Sequence, residues 1–286
     1  MDTKLNTHMT RPLFLTHLTL GLGFLLPGAT HAQDLAARGR DVFSKNRTAV
    51  VTVQLVVKTK LGFQGFGGDA QESKQEVTGT VIDPSGLTAV SLSSTDPTSL
   101  MQSFMGGFGG DGEEGAKMKF NSEVSDVKLL CNDGAELAAE IVLRDKDLDL
   151  AFVRPKSKPA APLPALDLSG GAKVDVLDEI IAVNRLGKVA GRAHSASVER
   201  INAIVQKPRL FYVPGSDKSM TGLGCPAFNL EGKIVGLFVM RSLKSSGGGG
   251  MGMFNFQSPP VTSIILPAED VKKIAAQAPA AKEEQK

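Results

Sequence analysis

The sequence predicts an all-β protein, either a barrel or a sandwich. Its segments rich in β-branched residues are short and closely spaced, and several alternate apolar with polar side chains. Turn signals separate these segments, for example Asp83-Pro84-Ser85-Gly86 and Asn132-Asp133-Gly134. Helical patterns occur only near the two ends. The body of the chain is therefore predicted to be β-structure.

The predicted elements begin and end with a helix. Asp34–Lys45 opens with a capping aspartate and predicts a short helix. Ala268–Gln277 places acidic residues before lysines and gathers its apolar residues on one face, which predicts a C-terminal helix. The predicted strands between them are Ala49–Lys60, Glu76–Asp83, Thr88–Leu92, Val127–Cys131, Leu137–Leu143, Leu150–Arg154, Glu179–Val183, Ser197–Val205, Leu210–Val213, Lys233–Met240 and Ser258–Leu266.

The first 32 residues predict a secretory signal peptide. Lys4 and Arg11 precede an apolar run, and Thr30-His31-Ala32 supplies small residues for cleavage after Ala32. A membrane anchor is the alternative, but the run is shorter than the roughly 20 residues a bilayer requires. We therefore expect an exported protein, periplasmic or extracellular, without a membrane span after cleavage.

Composition excludes several function classes. A net charge of +2, with 32 basic and 30 acidic residues, offers no excess of positive charge for nucleic acid. The two cysteines, Cys131 and Cys225, cannot form a disulfide scaffold, and a single bridge between them is not favoured. After signal cleavage His194 is the remaining histidine, so no metal site and no cofactor are predicted.

Glycine and proline mark the irregular parts of the chain. Gly62–Gly68, Gly106–Gly115 and Gly247–Gly250 lack the residues of phosphate or calcium loops, and they predict flexible surface insertions. Pro155–Pro164 lies between two strand-rich halves and predicts a linker.

Three segments resemble the trypsin-like serine proteases, in particular the bacterial HtrA/Deg type. Thr78–Gly86, continuing to Ser93, is similar to the strand and turn G-x-x-x-D-P-x-G that leads to the catalytic histidine. Asn132-Asp133-Gly134 and the run Ala139–Ala151 resemble the hairpin and D-L-A strand that carry the catalytic aspartate. Gly222–Gly236 resembles G-N-S-G-G-P-L-F-N-x-x-G-x-V-I-G around the nucleophilic serine, and Asp178–Gly187 is a softer match.

The resemblance covers about residues 45–275 and implies two β-barrels with a cleft between them. Together with the signal peptide at 1–32 and a polar C-terminal tail at 277–286, it predicts an N-terminal barrel at 33–160 and a C-terminal barrel at 161–276. Ser93, Asp149 and Leu223 are then expected to converge at the barrel interface, with their side chains within about hydrogen-bond or contact distance of each other.

The catalytic residues of the family are not carried over intact. The histidine position falls on Ser93 and the nucleophile position on Leu223, and Asp149 matches its family role. Serine cannot act as a base near neutral pH, and leucine has no nucleophilic atom. The oxyanion-hole positions are Thr221 and Leu223; a β-branched residue replaces the usual glycine at the first of them.

Other residues in this region have structural explanations. Asp149 is expected to accept hydrogen bonds from Ser93 and nearby backbone, and Ser91, Ser93 and Ser94 to form a hydrogen-bonded loop. His194 is predicted to be a strand histidine, and Cys225 a small buried residue with no matched histidine.

Three functions follow from these observations. The first is an exported, proteolytically inactive trypsin-fold protein that binds a protein or peptide or serves as a scaffold. The second is a serine endopeptidase of the trypsin-like type with a rearranged site that uses Ser93 or Ser219. The third is an envelope protein whose glycine-rich stretches form a homo-oligomer.

Overall fold

The computed structural model describes residues 27–63, 66–67, 71–96, 119–215, 222–242 and 261–279. Its strands form two antiparallel sheets, and each closes into a barrel. The predicted all-β, two-barrel fold with a short C-terminal helix is therefore confirmed. Most of the predicted signal peptide and the glycine-rich stretches Gly106–Gly115 and Gly247–Gly250 lie outside the described residues.

The first barrel takes its strands from the N-terminal half. The bounds are β1 (Val50–Phe63), β2 (Phe66–Gly67), β3 (Gln71–Val81), β4 (Thr88–Ser91), β5 (Lys119–Leu130), β6 (Glu136–Asp145) and β7 (Leu150–Pro155). Six strands pair in the order β1-β3-β4-β7-β6-β5, and β5 pairs back with β1 to close the barrel. The short strand β2 pairs with the far end of β1.

The second barrel takes its strands from the C-terminal half. The bounds are β8 (Glu179–Arg185), β9 (His194–Val205), β10 (Phe211–Pro214), β11 (Pro226–Asn229), β12 (Ile234–Ser242) and β13 (Val261–Pro267). The strands close in the order β10-β13-β12-β11-β8-β9.

One helix precedes the first barrel, a short one follows β4, and a third follows β13. The bounds are α1 (Pro27–Asn46), α2 (Leu92–Thr95) and α3 (Ala268–Ala275). The helix predicted over Asp34–Lys45 is present, but it begins earlier, at Pro27. The predicted cleavage after Ala32 therefore falls within α1. None of the helices within the described ranges is long and apolar enough to span a membrane.

Alternation along the strands creates three apolar layers. In β7, Ala151 and Val153 line the first barrel, whereas Leu150 and Phe152 point into a core shared with the second barrel. The strands β8, β12 and β13 divide their side chains between the second barrel and the shared core in the same way. Because successive strand residues face opposite sides, a run that is buried on both faces is apolar at every position.

The helices add to the shared core. Val42 of α1 is 2% exposed, and α1 packs on β8 and β9 although the first barrel follows it in sequence. Ala268 and Val271 of α3 enter the same core. The shared core therefore joins the helices α1 and α3 to both barrels.

The connection between the barrels is anchored. The Leu163 N–H donates to the Pro84 carbonyl at 3.0 Å, and the Leu166 N–H donates to the Val81 carbonyl at 2.9 Å. Leu166 and Leu168 are buried in the shared core. The proline-rich segment predicted as a linker does join the two halves, but its C-terminal part packs against the first barrel.

Two strands and one α-helix, all short, have no counterpart in the sequence prediction: β2, β11 and α2. The first lies within a glycine-rich stretch, the second begins with Pro226, and the third spans only four residues. Such elements carry too few residues for a periodic signal, and tertiary packing determines them.

The shared core predicts one cooperative unfolding transition. Replacing Phe152 with alanine should lower the free energy of unfolding by about 3–5 kcal/mol, because a fully buried aromatic side chain leaves a cavity. Phe152→Leu, which retains most of the apolar volume, should cost less. Urea unfolding followed by circular dichroism measures both losses. Separate transitions for the two barrels in the unmodified protein would contradict this prediction.

Candidate functional site between the two barrels

A buried carboxylate lies where the barrels meet. Asp149 directly precedes β7 and is 7% exposed. The preceding turn is fixed by Asp145, whose side chain accepts hydrogen bonds from the Asp147 and Leu148 N–H groups. The backbone of Asp149 has a φ of 55°, a left-handed conformation that costs an L-residue roughly 1–2 kcal/mol. The contacts of this residue must offset that strain.

Four hydrogen bonds hold the Asp149 carboxylate. Its Oδ1 accepts from the Ser93 N–H at 2.7 Å and from the Ser93 hydroxyl at 2.6 Å. Its Oδ2 accepts from the Ser91 hydroxyl at 2.5 Å and from the Met240 N–H at 2.7 Å. The Met240 donor belongs to the second barrel, so this carboxylate joins the two barrels directly.

Burial and hydrogen bonding act in opposite directions on this group. Burial raises the pKa of Asp149, because desolvation disfavours the charged form, while the bonds from Ser91, Ser93 and Met240 act to lower it. Both oxygens are fully occupied by donors. The site therefore positions a carboxylate whose partners are two hydroxyls and two backbone amides.

The two serines come from consecutive elements. Ser91 ends β4 and is fully buried, and Ser93 lies in the first turn of α2. The Leu92 N–H donates to the Asp149 carbonyl at 2.9 Å, and the Ser94 hydroxyl donates to the Ser91 carbonyl at 2.6 Å. The serine-rich stretch is thus hydrogen-bonded, but it forms the end of β4 and the start of α2 and not the predicted loop. Ser91 is a carboxylate partner that sequence analysis missed.

Leu223 reaches the site through Met240. The two side chains are 4% and 7% exposed and pack against each other, while the Met240 N–H binds Asp149. The structure therefore brings Ser93 and Asp149 into direct contact and places Leu223 against the neighbouring residue. Thr221, predicted at the other oxyanion-hole position, and Ser219 lie outside the described residues.

A tight turn presents Leu223 to the first barrel. The Gly224 N–H donates to the Phe238 carbonyl at 2.7 Å, and the Gly224 carbonyl accepts from the buried Thr80 hydroxyl at 2.8 Å. Gly224 has a φ of 85°, and a Cβ at this position would overlap the Thr78 carbonyl oxygen. Glycine is therefore required where this turn meets β3.

His194 and the cysteines lie away from the carboxylate. The Nε2 of His194 lies 3.1 Å from the Val50 carbonyl, which can only accept, so the ring nitrogen donates. Burial lowers the pKa of His194. Cys131 and Cys225 are buried free thiols, and burial raises the pKa of each. Among the described residues, no group of three or more His, Cys, Asp and Glu side chains could hold a metal ion.

A cleft opens between the barrels beside this network. It has a volume of about 360 Å³ and mixes hydroxyl, amide and charged groups with apolar side chains. Its lining residues are Thr52, Glu76, Val77, Thr78, Ser94, Asn184, Arg185, Leu186, Gly187 and Leu223.

An ion pair and a hydrogen bond join the two barrels beside the cleft, and sequence analysis missed them. Glu76 of β3 accepts from Nε and Nη2 of Arg192, at 3.1 and 2.5 Å. This ion pair lowers the pKa of Glu76, and the side-chain hydrogen bond from Arg192 is the largest cause. The Thr78 hydroxyl donates to Asn184 Oδ1 at 2.7 Å. These partners are more than one hundred residues apart, so local sequence carries no signal for them.

The chain's relationship to known proteins agrees with this architecture. The profile of the family described as trypsin-like peptidase domain matches residues 42–237. The chain therefore belongs to the trypsin-like peptidase family, and the predicted membership is confirmed. A similar protein is the probable periplasmic serine endoprotease DegP-like of Halomonas elongata, 31% identical over 133 residues. That alignment covers 45% of this chain and 26% of the relative, which supports the resemblance to the HtrA/Deg type.

The Gly224 turn gives a test of the barrel junction. Gly224→Ala should destabilise the protein by more than about 3 kcal/mol, because the added methyl overlaps backbone as well as straining φ. Gly170→Ala is the matched control: its φ is 68°, but a Cβ there meets nothing within 4 Å, so strain alone should cost about 1–2 kcal/mol. Urea denaturation measures both, and equal losses would show that the approach to Thr78 is unimportant.

The Asp149 carboxylate gives a test by pH. Asp149→Asn should destabilise by about 2–4 kcal/mol, because an amide places hydrogens opposite the donors of Ser93 or Met240. The raised pKa means that the folded state binds the proton more tightly than the unfolded state. The stability that wild type has over the variant should therefore decline as pH rises from about 4 to 7.

The control for this test is Asp147→Asn, an exposed position in the same turn, which should change stability by less than about 0.5 kcal/mol. Urea midpoints at several pH values measure the difference. A wild-type advantage that grows with pH would mean that hydrogen bonding outweighs burial at Asp149.

Proposed function

We propose that this chain is an exported trypsin-fold protein without peptidase activity that binds an extended protein or peptide segment between its barrels. The observation that carries the proposal is the pairing of the Asp149 carboxylate with serine hydroxyls. In the trypsin-like mechanism the equivalent carboxylate orients an imidazole. Here the group at that position is the Ser93 hydroxyl.

The chemistry of peptide hydrolysis needs a base and a nucleophile. A serine hydroxyl does not accept a proton near neutral pH, so Ser93 cannot replace the imidazole. Leu223 offers carbon and hydrogen only, and it packs in an apolar contact with Met240. Asp149 itself is shielded by four donors and cannot act on a substrate. Both proton transfer and acyl-enzyme formation therefore lack their reacting atoms.

The cleft supports the binding half of the proposal. Its 360 Å³ can accommodate one or two amino-acid side chains, and its walls offer apolar contact at Val77, Leu186 and Leu223. Polar groups also line it, from Thr52 of the first barrel and Asn184 of the second. Side chains of an extended peptide are recognised by pockets of this kind.

Two observations support export. The first 32 residues carry the charge, apolar run and small-residue order of a signal peptide. The relative from Halomonas elongata is described as a periplasmic protein.

The alternative is a serine endopeptidase with a rearranged site. It is favoured by one contact, the 2.6 Å hydrogen bond from the Ser93 hydroxyl to Asp149. A carboxylate bound to a serine hydroxyl could accept its proton directly, although four donors reduce its basicity. A fluorophosphonate probe distinguishes the two functions, since only an activated serine at position 93 or 219 would be labelled rapidly.

The decisive experiment restores the missing groups one at a time. The unmodified protein and Leu223→Ser should not hydrolyse casein or peptide esters above background, because the triad members act as a unit. Leu223→Ser combined with Ser93→His should gain a trace of activity, since the imidazole can take the place of the Ser93 hydroxyl at Oδ1. Adding Asp149→Asn to this pair is the control and should abolish the gain.

Rates of casein and ester hydrolysis measure the outcome, with trypsin as the positive assay control. Robust hydrolysis by the unmodified protein, lost on Ser93→Ala or Ser219→Ala, would contradict the proposal and establish the endopeptidase instead.

A further inference from the structure

A partly buried guanidinium stands at the wall of the inter-barrel cleft. Arg185 ends β8, lines the cleft, and reaches across to the first barrel. Its Nη1 donates to the Leu130 carbonyl at 3.1 Å and to Asn132 Oδ1 at 2.8 Å. Its Nε donates to the Arg192 carbonyl at 3.2 Å. All of these acceptors are neutral oxygens.

No carboxylate in the described part of the chain lies within ion-pair distance of Arg185. The carboxylate that lines the same cleft is Glu76, and it is engaged by the side chain of Arg192. This pairing leaves the Arg185 guanidinium without an ion-pair partner among the described residues. Burial and the charge of Arg192 both lower the pKa of Arg185, while Glu76 acts in the opposite direction.

A partly desolvated positive charge with neutral partners is an incomplete arrangement. Removing a charge from water is costly unless an opposite charge approaches it. A guanidinium also presents its donors as a planar fork that matches a carboxylate. The cleft beside Arg185 is open and large enough to admit a carboxylate-bearing side chain or chain terminus.

We infer that the cleft selects peptides that carry a carboxylate, and that Arg185 receives it. This inference rests on the proposed peptide-binding function and adds the charge of the ligand to it. Leu186 and Leu223, which line the same cavity, provide apolar contact for the rest of the peptide. The carboxylate can come from an acidic side chain or from the C-terminus of the bound chain.

Fluorescence anisotropy with labelled hexapeptides tests the inference on the unmodified protein. One series is amidated and moves a single glutamate through all six positions of an otherwise neutral, mainly apolar peptide. A second series has glutamine in place of glutamate, and a third has glutamine with a free C-terminal carboxylate. We expect the best glutamate or free-carboxylate peptide to bind about tenfold more tightly than its neutral twin.

Variants then assign the effect to Arg185. Arg185→Gln places an amide nitrogen near the position of Nε, which donates to the Arg192 carbonyl, but it removes the Nη1 donors and the charge. The ratio between the acidic and neutral twins should then fall to about one. Arg200→Gln is the matched control, because Arg200 lies in the adjacent strand β9 and pairs with Glu179 outside the cleft. It should keep the tenfold ratio. Circular dichroism confirms that each variant is folded.

The outcomes separate this inference from the proposed function. If the glutamate series binds more tightly than the glutamine series, the inference is supported and the ligand is an acidic side chain. If the free-carboxylate series binds more tightly, the inference is supported and the ligand is a chain terminus. Equal binding of acidic and neutral twins overturns the inference while peptide binding stands. A ratio that persists in Arg185→Gln overturns the role of Arg185. Failure of all peptides and of unfolded casein to bind overturns the proposed function together with the inference.

Discussion

The burial of the Asp149 carboxylate is the constraint on which the junction of the two barrels depends. A carboxylate removed from water requires donors on both oxygens, and the available donors belong to separate parts of the chain. Ser91 and Ser93 fix the end of β4 and the start of α2, and the Met240 N–H fixes the position of β12. Because one of these donors lies in the second barrel, neither barrel alone can satisfy the group.

The apolar layers reinforce the same dependence. Leu150 and Phe152 directly follow Asp149, and they carry the chain from the polar junction into the core shared with the second barrel. A shift of β7 by one residue would exchange them with Ala151 and Val153 and would leave large side chains inside the first barrel. The position of the carboxylate and the alternation of β7 thus specify one register.

Sequence analysis predicts those features that local pattern encodes. The long strands and the C-terminal helix are predictable because alternation and charge order extend over many residues. Asp149 is predictable from the segment that resembles the D-L-A strand. Met240 was not predicted as its partner, since a backbone N–H has no residue signature. The Glu76–Arg192 pair was also missed, because its two residues lie 116 positions apart and only the folded barrels bring them together.

In the proposed function, the buried carboxylate keeps a structural role without its chemical one. In the trypsin-like mechanism the buried carboxylate serves as the partner of an imidazole. Ser93 supplies a hydroxyl and a backbone N–H to the same oxygen, so the carboxylate is satisfied without a base. Leu223 similarly fills space against Met240, where a hydroxyl would need a partner of its own. The polar requirements of the junction and the apolar packing of the turn are both met, and the cleft beside them stays open. In the proposed function, the same fold therefore retains a binding surface without the atoms that cleave what is bound.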